Sequence, residues 1–389
     1  MEEKVISRLK GYVRRAEFEW NQFRWKIHTW RNQRIFDGWY ADYVRSRPEV
    51  IVGANFHTSG GVRNHMHAIA DYSKLRTLLV PDDRRIRRFG TLPFNENAPT
   101  LRQRDLPSSL RAIHTHVLPW LIDWAIERRT PDVVWVHTHH AWYFPEYGVD
   151  GIEPWQHSLN QVGLTALKKC DVRLSVSRWQ QRFLRSEHGI DAAYLPNGVD
   201  VLACDQGRAD RFYRKYDAAS PFILWVGRFD PVKNPHDYVR LALTLPTHHF
   251  VMVGGITASH IASDMQLPLP ANLSLMPPLG HSEVQNVIAA CRALVVTSHR
   301  EGLPTLVLEA MTHQKPVVIP DEDGCMDATN GQEHAYVYRK GDVAHLADQV
   351  RNALAGPETM PRSRERILDE FDWRVVAEKL DAIYQGKTR

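Results

Sequence analysis

Glu301 and Glu309 stand eight positions apart in the run "EGLPTLVLE". A carboxylate accepts hydrogen bonds at both oxygens, which suits the paired hydroxyls of a sugar or a ribose. Between the two acids, Pro304 suits the first turn of a helix, and first-turn N–H groups form a ready anion site. Glu309 falls about one turn beyond Thr305, and Glu301 lies in the approach loop. Both acids are therefore expected to face a ligand whose phosphates rest on that helix end. The competing reading is a helix that simply carries solvated carboxylates near its ends.

Other residues could complete such a site. In "WVGRFDPVKN", Arg228 and Lys233 follow a strand-like run, and ligands of open α/β sheets bind beyond the carboxyl ends of strands. Two cations beside a turn suit a diphosphate; a solvated loop is the alternative. Gly60 and Gly61 in "HTSGGV" sit where a strand gives way to a helix, so a phosphate or sugar can approach the backbone there. A tight turn without a ligand explains them equally well. Three His-x-His spacings, in "HMH" (65–67), "HTH" (114–116) and "HTHH" (137–140), would place paired rings on one face of a strand.

These residues need elements to hold them. From Glu49 onward, short apolar runs such as "VIVGANF", "RTLLVP", "VVWVHT" and "VRLSVS" alternate with amphipathic stretches. That alternation indicates a parallel sheet covered on both faces. The polar stretch 204–221 interrupts it, and "FILWVG", "FVMVGG", "NLSLMP", "RALVVTS" and "KPVVIP" restart it. A length of 389 residues exceeds what one core usually serves. The fold class is α/β, with two doubly wound halves joined near residue 210. Before them, Val5, Leu9, Tyr12, Ala16, Trp20, Phe23, Ile27 and Trp30 recur at helical spacing among basic residues.

Bulk composition excludes several classes. At 43% hydrophobic and 24% charged the chain reads as globular, and a net charge of +4 is no nucleic-acid signature. No apolar run approaches the ~18 residues of a membrane span, and the N-terminus lacks an uninterrupted signal-peptide core. Cys170, Cys204, Cys291 and Cys325 form no CxxC pair and no zinc-like spacing. They are expected to be reduced, structural thiols of a cytoplasmic protein.

Taken together, "SGGV" (59–62), "THH" (138–140), "LPNGVD" (195–200), "VGRFDPVKN" (226–234), "EGLPTLVLEAM" (301–311) and "PVVIP" (316–320) resemble the retaining GT-B glycosyltransferases of family 4. The resemblance spans roughly residues 50 to 385 and is dense in the second half. It implies two Rossmann-like domains facing across a cleft, with an extra N-terminal helical segment. The expected divisions are a basic, aromatic extension (1–48), an acceptor domain (49–205), a nucleotide-sugar domain (206–368) and a last helix crossing back to the acceptor domain (369–389).

The resemblance also implies roles. Glu301 would lie near the donor sugar and Glu309 on the ribose. Arg228 and Lys233 would grip the diphosphate, with the backbone N–H groups of Thr305 and Leu306. Gly60 and Gly61 would belong to a loop closing on the donor. His140 would lie near the reacting face of the sugar, with His139 one register away. The implied reaction transfers a sugar from a UDP- or GDP-linked donor to a glycan or lipid-linked acceptor, with retention at the anomeric carbon. It implies no metal, no cofactor and no nucleic acid. Gln314 and the acid-rich, glycine-poor segment 321–338 depart from the family pattern, which leaves the donor sugar open.

Two rivals keep the fold: a sugar-nucleotide 2-epimerase and a non-catalytic nucleotide-sugar-binding scaffold. A metal-dependent hydrolase barrel would start from a His-x-His strand, but a barrel would not restart at residue 222. The aromatic loop 141–157 suits acceptor contact by ring stacking, with core filling as the alternative.

Residues 1–48 carry eleven Lys or Arg against six Asp or Glu, together with Trp20, Trp25, Trp30 and Trp39. That combination suits a peripheral helix on the anionic inner face of a membrane. It suits equally a helix packed on its own catalytic domain or on a second subunit. Flotation with anionic liposomes separates the two. Membrane contact gives co-flotation at low salt that is lost at high salt, because the surface attraction is screened within ~8–10 Å. Absence of co-flotation at low salt leaves protein packing.

Overall fold

The computed structural model describes residues 34, 37–38, 40–53, 61–80, 108–116, 119–140, 144, 152–218 and 220–387. Gly60, most of the loop 141–157 and most of the N-terminal extension, its four tryptophans included, lie outside them. Two parallel six-stranded sheets carry the fold. Contacts divide the chain into two compact units. The first takes in the described residues through His139, those of 151–173, and the segment from Asp381 onward. The second comprises Leu174–Leu380 together with His140. Among the described residues, no helix is long and apolar enough to cross a membrane.

The first sheet has the order β2-β1-β3-β4-β5-β6. Its strands are β1 (Val50–Val52), β2 (Thr77–Leu79), β3 (Ala112–Thr115), β4 (Val134–His139), β5 (Val172–Ser175) and β6 (Ala193–Tyr194). Histidines fill much of its interior. His114 Nδ1 lies 2.6 Å from the Tyr384 hydroxyl and its Nε2 2.7 Å from Thr138 Oγ1. His137 Nδ1 lies 2.8 Å from Thr115 Oγ1, which also accepts the Trp135 indole N–H. Burial pushes both imidazoles down, His137 to about 3, so both rings are neutral core residues. Within the same unit Asp381 accepts from Ser73 Oγ at 2.5 Å and from the Lys74 N–H at 2.8 Å.

The strand reading of "HMH" is corrected here. His65 and His67 lie in the helix Gly61–Tyr72, where a step of two residues turns the rings to different sides. His116 falls one residue past the end of β3, yet its ring centroid lies 4.3 Å from that of His114, so the "HTH" rings are paired at the strand end.

The second sheet has the order β12-β11-β10-β7-β8-β9, with every neighbouring pair parallel. Its strands are β7 (Phe222–Val226), β8 (His249–Val253), β9 (Leu273–Met276), β10 (Ala293–Val295), β11 (Val317–Pro320) and β12 (Tyr336–Tyr338). Strand periodicity decides which helix layer each side chain meets. Phe222, Leu224, Val251, Val253, Leu294, Val317 and Ile319 join one apolar cluster with Val287, Val307, Leu308 and Met311 of the helices. Their neighbours Ile223, Trp225, Phe250, Met252, Val295 and Val318 join the opposite one, with Tyr238, Leu241, Leu346 and Val350. A strand buried on both faces must read as continuously apolar, which is why "FILWV" and "VVI" do. Each side chain so buried contributes about 1.5–3 kcal/mol.

The chain enters this sheet at β7, winds outward through β8 and β9, then returns to β10 on the other side of β7. The loops after β7 and β10 therefore leave neighbouring strands in opposite directions and open a crevice at their carboxyl ends. The polar stretch 204–221 is not a plain linker. It contains the helix Ala209–Lys215, whose Phe212 is buried in the core of this unit. All four cysteines are buried thiols.

Close backbone contact fixes the glycines beside the crevice. Gly254 has φ +147°, and a Cβ there would lie 1.6 Å from the Gly227 carbonyl oxygen. Gly254→Ala is therefore expected to cost about 3 kcal/mol or more of stability. A urea denaturation midpoint unchanged from the parent would contradict that close approach.

Candidate active site

The crevice of the second sheet gathers most of the residues singled out in the sequence. After β7 the chain runs through Gly227 and Arg228 into a 3₁₀ turn, Pro231–Lys233. Asp230 caps this turn by accepting the Val232 N–H at 2.9 Å. Asn234 follows with φ +46°, and its side chain donates to Asp237 at 2.7 Å. Thr297, just past β10, braces the turn from the next strand. Its hydroxyl lies 2.9 Å from the Lys233 carbonyl and 2.7 Å from that of Asn234, and it accepts the Trp225 indole N–H at 3.0 Å. The turn is thus tied to the sheet through a fully buried hydroxyl.

Lys233 reaches across the crevice to Glu301, Nζ to Oε1, at 2.6 Å. The Glu301 side chain is 12% exposed and that of Lys233 is 31% exposed. Arg228 does not join them. It lies 3.3 Å from Asp230 and its side chain is 75% exposed, free to swing toward a ligand.

The loop that carries Glu301 is fixed along its backbone. The His299 N–H donates to the Val232 carbonyl at 2.8 Å. The Glu301 N–H donates to Glu322 Oε1 at 2.9 Å. The Gly302 carbonyl accepts the Trp179 indole N–H at 3.0 Å. Gly324 packs under the same loop: a Cβ there would come within 2.4 Å of the Glu301 carbonyl oxygen. So many anchors leave the Glu301 side chain little freedom of approach.

Beyond the loop lies the helix Thr305–Thr312. Val307, Leu308, Ala310, Met311 and Thr312 are buried, which leaves Thr305, Leu306 and Glu309 on the partly open face. Pro304, at its N-cap, supplies no side-chain cap. The first-turn amides of a helix have no partner within the helix, so this end attracts an anion.

Glu309 is held by residues that the sequence reading did not single out. Its Oε2 accepts from Gln285 Nε2 at 2.9 Å, and its Oε1 lies 3.4 Å from His281 Nε2. Gln285 Oε1 in turn lies 3.0 Å from His313 Nε2. An ionised carboxylate only accepts, so the Gln285 amide must turn its nitrogen toward Glu309 and its oxygen toward His313. His313 then donates from Nε2 as a neutral ring, consistent with burial pushing it down to about 4. The hydrogen bond to Glu309 raises His281, which favours its cationic form beside the acid. The spacing of His281 and Gln285, four residues apart on the helix His281–Ala290, was the available signal.

The remaining described candidates, Gly61 and His140, follow strands of the first sheet. Gly61 is the first residue of the helix Gly61–Tyr72. His140 directly follows β4 and is buried. His139 is the last residue of that strand.

Comparison with known proteins agrees with this architecture. Residues 208–368 match the family model described as glycosyl transferases group 1. The D-inositol 3-phosphate glycosyltransferases of Mycobacterium bovis (strain BCG / Pasteur 1173P2) and Mycobacterium tuberculosis (strain ATCC 25618 / H37Rv) are each 27% identical over 304 residues, 72% of this chain. The match spans 62% of the length of those relatives. Among solved structures, a sucrose-phosphate synthase from Thermosynechococcus elongatus aligns with a TM-score of 0.70 at 19% identity, covering 87% of this chain and 99% of its own. Anabaena Alr3699/HepE, solved in complex with UDP and glucose, aligns with a TM-score of 0.68 at 16% identity, covering 87% of this chain and all of its own. The chain has the α/β GT-B fold of these structures, and its residues 208–368 match the glycosyl transferases group 1 family model.

Proposed function

We propose that the protein is a retaining glycosyltransferase that moves a sugar from a nucleotide diphosphate sugar to a glycan or lipid-linked acceptor. The observation that carries the proposal is the Lys233–Glu301 pair beside the N-terminus of the helix Thr305–Thr312, at the switch point of the second sheet. A cation, a helix end and two fixed carboxylates meet the needs of a diphosphate, a sugar and a ribose in turn. The group 1 match across residues 208–368 supports the same reading. The UDP held by HepE, a protein of the same fold, favours UDP over GDP as the donor base.

In this scheme Lys233 exchanges Glu301 for a phosphate oxygen, and Arg228 leaves Asp230 for the other phosphate. Glu301, released from the lysine, accepts hydroxyls of the donor sugar. Glu309 accepts the ribose hydroxyls, its carboxylate already aimed by Gln285. As the glycosidic bond opens, negative charge grows on the leaving diphosphate. Arg228, Lys233 and the amides of Thr305 and Leu306 stabilise that charge, so the scheme needs no metal. The departing phosphate helps to take the acceptor proton, so no enzyme nucleophile is assigned. His140, Gly60 and Gly61 are proposed to contact the donor sugar. A peripheral membrane contact through residues 1–48 would suit a lipid-linked acceptor.

Calorimetry with UDP, GDP and ADP tests the donor site, and UDP is expected to bind most tightly. Arg228→Ala and Lys233→Ala should each weaken that binding by roughly 1.5–3 kcal/mol, the worth of a charge-assisted contact. Unchanged affinity for every nucleotide that binds the parent would mean that the clamp lies elsewhere.

Steady-state kinetics separate the two acids. A ribose contact is present in ground and transition states alike, so Glu309→Gln should mainly raise the donor KM. Glu301 touches groups whose charge changes during transfer, so Glu301→Gln should mainly lower kcat. Near-parental kinetics for both variants would return the pair to solvated carboxylates. Binding without turnover on any acceptor would favour the scaffold, and isomerisation of the free sugar nucleotide would favour the epimerase.

A further inference from the structure

Glu322 takes no part in the scheme above, yet it is the buried acid nearest to the backbone of the Glu301 loop. It is 5% exposed and forms the N-cap of the helix Asp323–Thr329. One oxygen serves that cap, accepting the Cys325 N–H at 3.0 Å. Its other oxygen leaves the helix and accepts the Glu301 N–H at 2.9 Å. Capping is ordinarily done by Ser, Thr, Asp or Asn. The longer arm of a glutamate lets one carboxylate hold two segments. Gly324, with no room for a Cβ against the Glu301 carbonyl, keeps those segments in contact.

We propose that Glu322 is a positioning residue that aligns Glu301 when ionised and releases it when protonated, making sugar transfer pH-dependent through the loop rather than through a group touching substrate. The inference rests on the donor-site reading of Glu301.

Both oxygens must accept for both segments to be held, and the carboxylate form does so with no hydrogen of its own in the way. Protonation turns one oxygen into a hydroxyl, which sets a donor against an N–H donor. Burial raises the Glu322 carboxyl to about 7, against the opposing pull of the Glu301 and Cys325 N–H groups, and the Glu301 carboxylate adds to the rise. The groups facing it are Glu301, with Lys233 bound to it, and the Cys325 thiol, itself held protonated by burial. Because the folded-state pKa is raised, the ionised form is the costly one. The contribution of the protonated form to stability is complete below the unfolded value and is lost as pH rises through about 7. Function and stability thus pull Glu322 in opposite directions.

The first test needs no substrate. In the chain labelled with ¹⁵N-glutamate, the Glu301 amide is followed from about pH 5.5 to 8.5, a window bracketing the Glu322 midpoint. The parent should show a shift with its midpoint near the raised Glu322 value, and Glu322→Gln should abolish it. A flat amide in the parent, or the same titration in the variant, overturns the proposal even if the chain transfers no sugar. With donor and acceptor, parent kcat should fall about tenfold from pH 8 to pH 6, the ratio of ionised fractions for such a group, with donor KM nearly constant. Glu322→Gln should lose that acid limb and melt no lower than the parent at pH 8. A titrating amide with a flat kcat profile overturns the gating while leaving the donor-site reading intact.

Discussion

The second unit is organised by the contact between Lys233 and Glu301, and that contact exists because β7 and β10 are neighbours whose following loops diverge. Winding outward from β7 and returning beside it creates a crevice that neither loop could form alone. The pair then bridges the crevice with opposite charges in a partly dry setting, where a charge-assisted hydrogen bond is stronger than in water. Each partner is supported from behind. Thr297 holds the carbonyl of the lysine turn, while Glu322 and Trp179 hold the glutamate loop on either side of Glu301. Each of these supports joins a side chain to a backbone group, so the geometry depends on how the chain is threaded and on those three side chains together.

Such fixing has an energetic logic. A site that stabilises charge appearing during a reaction gains most when its dipoles need not reorganise at that moment. The Glu309 carboxylate shows the same logic in side chains, since the His313–Gln285 relay sets the amide orientation before any ligand arrives. The two cations differ in this respect. Lys233 is half-buried and bound to a catalytic candidate, while Arg228 is largely solvated beside Asp230. In the proposed scheme the lysine couples phosphate binding to the freedom of Glu301, whereas the arginine adds charge without that coupling.

Much of this was legible in the chain itself. Apolar runs of four to six residues marked β7, β8, β10 and β11, because strands buried on both faces leave no room for polar alternation. The Glu301–Glu309 spacing and Pro304 located the helix end. What escaped was short or non-local. β6 and β12, two and three residues long, are too brief to show a period. The acid-rich, glycine-poor segment 321–338 stood out only as a departure from the family pattern, but its Glu322 and Gly324 are explained by contacts with residue 301, some twenty positions earlier. Gln285 and His313 likewise acquire meaning through a partner about two dozen residues away. The "HMH" pair misled for a simpler reason, whereas His137 and His139 do share strand β4. A step of two means a shared face only in a strand, and "HMH" lies in a helix.

The four cysteines lend the chain a different kind of property. All are buried, and burial pushes Cys170 and Cys291 up to about 12 and raises Cys204 and Cys325 as well. A thiol reacts as its thiolate, so in the folded state these sulfurs are chemically quiet toward alkylating reagents and mild oxidants. The native fold thus offers a silent background against which one cysteine introduced on an exposed surface would be the reactive thiol. A fluorophore or spin label placed there would report on this protein without removing any of its own sulfurs. Conversely, the appearance of thiol reactivity in the unaltered chain would signal that the interior had opened.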